Sequence, residues 1–192
     1  MKEFIAGNLK NSIAAKEKLF ETQSDEIIRL AELIAEIIKN GNKLLIFGNG
    51  GSAADAQHMA AEFVNRFMID RPPLAAIALT TDTSNLTSIG NDFSFEDIFD
   101  KQVLALGKKG DLALGISTSG NSPNVIKAIK TAAEKGLHTA VLTGGSGGRL
   151  AGMAQTVLNV PSDITPHIQE AHLWVEHLLC WMVDDILFGE GS

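Results

Sequence analysis

His58 and Glu62 stand four residues apart in an alanine-rich stretch that runs on to Phe67. In a helix that spacing aims an imidazole and a carboxylate the same way. About one turn before them comes Gly48-Asn49-Gly50-Gly51-Ser52, directly after the apolar run Leu44-Leu45-Ile46-Phe47. The run has the length and glycine flank of a buried parallel strand, so the glycines sit at a strand's C-terminal end. Ser52 is placed to cap the helix that follows, and the free N–H groups of that helix start favour an anion or a polyol. A proton-transfer pair therefore overlooks a polar ligand cradle.

A second segment, Gly115-Ile116-Ser117-Thr118-Ser119-Gly120-Asn121-Ser122-Pro123-Asn124, puts four hydroxyls within six residues, between a strand end and a helix start. The helix dipole and unpaired N–H groups there suit a phosphate dianion, with no lysine or arginine needed. A serine- and glycine-rich capping loop without a ligand is the plainer reading of such a segment taken alone. Two such loops at strand C-termini argue for a site, because open α/β sheets bind their ligands there.

A third cluster, Gln169-Glu170-Ala171-His172-Leu173-Trp174-Val175-Glu176-His177, lies on the last predicted helix. Gln169 and His177 are about 12 Å apart along its axis and about 80° apart around it, so they approach one ion only by leaning together. His172, four residues before Glu176, is expected to form a solvated pair with it, and His138 to open a strand at the surface. Trp174, Trp181, Met182, Val183, Ile186 and Leu187 leave this helix apolar around much of its girth. That pattern predicts burial against a second subunit, with His177 delivered to a neighbouring chain's Glu62. Gly48-x-Gly50-x-x-Ala53 also fits a relaxed dinucleotide fingerprint, with Asp82 as the ribose acid. That alternative leaves the hydroxyl loop and the His58/Glu62 pair without a role.

The elements that must position these groups follow from pattern and composition. The 192 residues, 45% hydrophobic and 20% charged, are enough for one α/β domain with a sizeable core and too few for two ordinary ones. The formal net charge of -7 comes without a Lys/Arg cluster, so neither nucleic acid nor an anionic membrane is an expected partner. Cys180 is the one cysteine, which excludes an intrachain disulfide and fits a reducing compartment. No apolar run approaches a membrane span and no signal peptide pattern opens the chain, so a soluble cytoplasmic protein is expected. Two amphipathic helices come first, over 3–20 and then from Ser24 to Asn40-Gly41. Strands near 43–47, 75–79, 112–116, 138–142 and 156–160 then alternate with helices near 52–67, 95–106, 123–135, 147–153 and 167–187. This order predicts a single α/β domain over 1–192, a doubly wound five-stranded parallel sheet. Residues 1–41 form its N-terminal helical pair, for packing and oligomerisation, and 42–192 its ligand-binding core.

GNGGSAADAQHMAAEF, IGNDF at Ile89 to Phe93, GISTSGNSPNVIKA, LTGGSGG and IQEAH, in that order, resemble the phosphoheptose isomerases of the sugar isomerase (SIS) fold. The likeness implies an aldose–ketose isomerase converting sedoheptulose 7-phosphate to D-glycero-D-manno-heptose 7-phosphate, the entry step to the heptose of lipopolysaccharide, working as a cytoplasmic homotetramer with active sites at subunit interfaces. By the same likeness Ser117, Thr118, Ser119 and Ser122 cradle the phosphate. Asn49, Gly50, Gly51, Ser52, Glu62, Asp92 and Gln169 contact the sugar, and Arg66 supports the site. Family members can carry zinc, and its ligands fall on His58, Glu62, Gln169 and His177. Isomerisation through an enediol needs a base near two carbons and an acid near their oxygens, roles that fall to Glu62 and His177. The chain departs from its relatives at Thr165-Pro166-His167, where they often have a small residue and an arginine. It also resembles the DnaA initiator-associating protein, a phosphosugar-binding regulator of the same fold. That protein lacks a carboxylate and an imidazole at the positions of Glu62 and His177, so the enzyme is the expectation.

Overall fold

The computed structural model describes residues 1–189. Its five strands run β1 (Leu44–Gly48), β2 (Ala76–Ala78), β3 (Leu112–Ile116), β4 (His138–Gly144) and β5 (Thr156–Val160), every pair parallel, in the order β2-β1-β3-β4-β5. β1 and β3 are buried along their whole length, which explains their unbroken apolar sequences. Alternate residues feed two cores. Leu44, Ile46, Leu112, Leu114 and Leu142 face helices α1 (Lys2–Lys39), α2 (Gly51–Val64) and α6 (Thr165–Phe188). Leu45, Phe47, Ala113 and Val141 face the opposite layer, with α4 (Asp100–Leu106) and α5 (Pro123–Glu134). The sheet is doubly wound as expected, and the chain reverses direction across it beside β1 and β3. That is the switch point at which such sheets hold ligands.

Three expectations about elements need correction. The N-terminal pair is one continuous helix of 38 residues, about 57 Å long at 1.5 Å per residue. No glycine or proline interrupts 20–25, and Thr22 returns its hydroxyl to the Lys18 carbonyl inside the helix. Ser24-Asp25 therefore has the composition of a helix start without being one. Gln23 meanwhile pairs with the edge of β5, donating to the Asn159 carbonyl and accepting from its N–H at 2.7 and 2.9 Å. The helix expected over 95–106 is a 3-10 turn followed by α4, and that at 147–153 is a 3-10 turn over Leu150–Gly152. A helix not foreseen, α3 (Thr83–Asp92), carries no buried residue, so no apolar stripe announced it. Asp82, offered above as a ribose acid, is its cap, accepting from the Asn85 N–H at 3.0 Å.

The long last helix also differs from expectation. α6 packs on α1 and α2 of its own chain, burying Ile168, Ala171, Val175, Leu179 and Val183. Much of its apolar girth is thus covered from within. Trp181, Ile186 and Phe188 stay exposed, as do Phe4, Ile5, Leu9 and Ile13 on the first turns of α1.

Candidate functional site

β1 ends in the turn that starts α2, and the position capping that helix is Gly50; Ser52 lies buried in the first turn without a capping bond. The expectation that Ser52 caps is corrected accordingly. Gly51 is required by a close approach, since a Cβ there would collide with the Gln169 side-chain amide. Gln169, in the second turn of α6, thus lies directly on the glycine turn. Asn49 and Asn124 exchange reciprocal amide hydrogen bonds of 2.9 Å, fastening the turn after β1 to the start of α5. Asn124 Oδ1 also accepts from the Val125 N–H at 2.9 Å, so each amide keeps one N–H for a ligand and Asn49 alone keeps a lone pair.

The hydroxyl loop after β3 is equally ordered. Ser117 and Ser122 hydroxyls pair at 2.9 Å, the Asn121 N–H donates to the Ser119 hydroxyl at 3.2 Å, and Pro123 opens α5. Gly120 has φ +64, and a Cβ there would collide with the Gly147 carbonyl oxygen. The loop after β4 therefore packs backbone to backbone against the hydroxyl loop, with Leu150 N–H on the Gly120 carbonyl and Arg149 N–H on Asn121 Oδ1 at 3.0 and 3.1 Å.

His58, Glu62 and His177 converge within one chain. His58 Nε2 lies 2.9 Å from His177 Nε2 and 3.5 Å from Glu62 Oε1. One imidazole of the pair donates and the other accepts. Phe67 stacks on the His177 ring at 5.5 Å between centroids, with Trp181 edge-on to Phe67. The expectation that His177 crosses to a neighbouring chain's Glu62 is thus corrected: the packing of α6 on α2 lets one chain supply both groups. Glu62 is partly open to solvent, with 22% of its side chain exposed, so a substrate can reach it.

Sequence reasoning missed the clamp that sets this geometry. Arg71 donates to Asp184 Oδ1 on α6 at 2.8 Å and to the Phe63 and Glu62 carbonyls at the end of α2 at 2.7 and 2.9 Å. These three bonds fix α2 against α6 beside Glu62. Glu176, expected to be solvated, is fully buried with both carboxylate oxygens unpartnered. Burial, reinforced by the charge of Asp55, pushes its carboxyl up to about 9. His172 is 1% exposed and donates from Nε2 to the Thr143 carbonyl at 2.9 Å. Burial lowers it to about 4 against that bond. The expected solvated His172/Glu176 pair is therefore two buried groups. His138 does open β4, half-buried. Asp92 and Arg66 are exposed, and among the described residues no hydrogen bond or ion pair joins either to the His58–His177 cluster.

Two imidazole nitrogens and a carboxylate oxygen are the donor types zinc takes. His58 and His177 aim theirs at one another, and Glu62 adds its own; Gln169 offers an amide oxygen at the glycine turn from which α2 starts. Among the described residues no three His, Cys, Asp or Glu side chains close into a cage, so the fit is one of donor chemistry and convergence.

A doubly wound sheet with a glycine turn and a hydroxyl loop on adjacent strand ends, flanked by an imidazole and a carboxylate, has the architecture of a phosphosugar enzyme. The SIS domain model matches residues 9–144. The phosphoheptose isomerase of Nitratidesulfovibrio vulgaris (strain Miyazaki F) is 54% identical over 173 residues, 90% of this chain and 83% of that one. That of Aneurinibacillus thermoaerophilus is 48% identical over 98% of this chain and 96% of its own. The structure of the Neisseria gonorrhoeae phosphoheptose isomerase superposes with a TM-score of 0.90 at 47% identity, covering 96% of this chain and 98% of that one. The chain belongs to the SIS domain family, in its phosphoheptose isomerase branch.

Proposed function

We propose that this chain interconverts sedoheptulose 7-phosphate and D-glycero-D-manno-heptose 7-phosphate through an enediol. The observation that carries the proposal is the convergence of Glu62, His58 and His177 along helix α2, which starts from the glycine turn on the strand end next to the hydroxyl loop. Ser117, Thr118, Ser119 and Ser122 hold the phosphate, which fixes the sugar so that its carbonyl end meets the helix α2 pair. Asn49 and Gln169 hold hydroxyls from the glycine-turn side. Glu62 takes the proton from C1 of the ketose and returns one to C2. His177 gives a proton to the C2 oxygen as the C1 hydroxyl loses its own, and the His58 contact orients the His177 ring and relays that proton. The DnaA-associated regulator remains less fitting, because this chain has the two proton-transfer groups that such a protein lacks.

His58, Glu62, Gln169 and His177 would hold a zinc ion here. Bound zinc would supply polarisation of a substrate oxygen; binding, orientation and proton transfer belong to the side chains above. The exposed apolar residues at the start of α1 and the end of α6 support a homotetramer, four times the 20.5 kDa chain, with crevices opening near the interfaces. The single buried thiol, Cys180, and the lack of any described helix long and apolar enough to cross a membrane support work in the cytoplasm.

The test compares wild type with Glu62→Gln and His177→Ala by turnover, calorimetry and metal analysis. Glu62→Gln retains binding of sedoheptulose 7-phosphate and loses at least about 100-fold in turnover, the scale of general base catalysis. His177→Ala loses its zinc as well as its activity. Retention of more than about a tenth of the wild-type rate by Glu62→Gln excludes it as the base.

A further inference from the structure

The hydroxyl loop forms one wall of a cavity of about 240 Å³, through Thr118 and Ser119. The facing wall, with Gly145, Ser146, Asp163 and Thr165, has no role in the reading above. Pockets that enclose a whole drug-sized ligand run from about 300 to 1,000 Å³, so this one is sized for one end of a sugar phosphate. That wall is rigidly built. Asn159 donates to the Gly145 carbonyl at 2.8 Å and accepts from the Thr143 hydroxyl at 2.9 Å, and the Gly145 N–H is held by the Ser162 carbonyl at 2.9 Å. The Ile164 N–H bonds to the Ser162 hydroxyl at 3.2 Å, setting the turn that carries Asp163. A Cβ on Gly145 would stand 3.0 Å from Asp163 Oδ1, so the carboxylate lies over the glycine at the cavity wall. Asp163 is the single charged residue lining the cavity and has no ion-pair partner among the described residues.

We propose that Asp163 is a specificity residue that accepts hydrogen bonds from the sugar hydroxyls nearest the phosphate. The inference rests on the phosphate-loop reading above. A carboxylate is an acceptor with room for about four hydrogen bonds, so it suits neighbouring hydroxyls. It repels a phosphate dianion across the cavity, so it cannot be a phosphate ligand itself. The wall thereby rewards a phosphate that arrives with a polyhydroxyl chain and penalises one that arrives alone.

The two effects have opposite signs, and this separates them from damage to the loop. In Asp163→Asn, KM for sedoheptulose 7-phosphate rises about 10- to 100-fold, the range of one hydrogen bond to a charged group, and rises by more than kcat falls. Inhibition by inorganic phosphate tightens in the same variant, because the facing charge is gone. Ser146→Ala weakens the sugar phosphate less and leaves phosphate inhibition as in wild type. Weakening of both ligands by Asp163→Asn, or no change in either, overturns the role of Asp163. A wild-type protein that inorganic phosphate does not inhibit overturns the phosphate loop itself, and this proposal with it.

Discussion

Glu176 and His172 are buried ionisable groups on one helix, and their protonation ties stability to pH in opposite directions. The folded chain keeps the Glu176 proton up to about 9, whereas the unfolded chain releases it from about 4.5. The folded state therefore binds more protons over that window, and stability falls as pH rises through it. His172 is neutral in the fold down to about 4, while unfolded histidine takes a proton below 6.5, so its contribution is lost as pH falls from 6.5 toward 4. Between about 4.5 and 6.5 the two slopes oppose each other. We expect the melting temperature to be level there and to decline from about 6.5 toward 9. Thermal unfolding followed across pH checks this, and Glu176→Gln should remove the alkaline decline. Asp55, also raised by burial, adds a slope of the same sign as Glu176.

Among the elements, the seam between α2 and α6 decides whether the site exists. Arg71 and Asp184 form it with side chains only 2% and 3% exposed, and removing one partner of a buried pair leaves an uncompensated charge. Arg71→Ala should cost about 3–5 kcal/mol in denaturant unfolding and should lower turnover, since Glu62 and His177 sit on the two helices the clamp joins. Wild-type stability in that variant would remove the clamp from the account of the site. This seam also marks how far the sequence could be read. The strands were legible because Leu44–Gly48 and Leu112–Ile116 are apolar throughout, and the glycine turn and hydroxyl loop followed from their places at strand ends. His58 and Glu62 were legible as a pair because four residues of helix link them. The pairing of Arg71 with Asp184, 113 residues away, and of Asn49 with Asn124, 75 residues away, depends on how helices settle on the sheet, which no local pattern records. α3 escaped notice because only Leu86 and Ile89 lean on the core, both partly buried, too few for a stripe. α1 reads as two helices because Ser24-Asp25 has the residue types of a cap, although the hydrogen bonds of Thr22 and Gln23 just before it run within the helix and to β5.

For the molecule as a whole, the sheet order brings two ligand loops onto neighbouring strands while α6 returns from the far edge to lay Gln169 on one and His177 beside α2. A single chain thereby carries a hydroxyl loop suited to a phosphate and, along α2, an imidazole and carboxylate suited to proton transfer, the layout that the proposed reaction of an extended sugar phosphate requires. The central claim is that Glu62 carries a carbon-bound proton between C1 and C2, and because 22% of its side chain is open to solvent, that proton exchanges with water before it is returned. The direct measurement is incubation with sedoheptulose 7-phosphate in D2O, followed by NMR of the product. Wild type should yield D-glycero-D-manno-heptose 7-phosphate carrying deuterium at C2, and Glu62→Gln should yield no labelled aldose on the same timescale. An aldose formed without deuterium, or labelled equally fast by Glu62→Gln, would contradict proton transfer through Glu62.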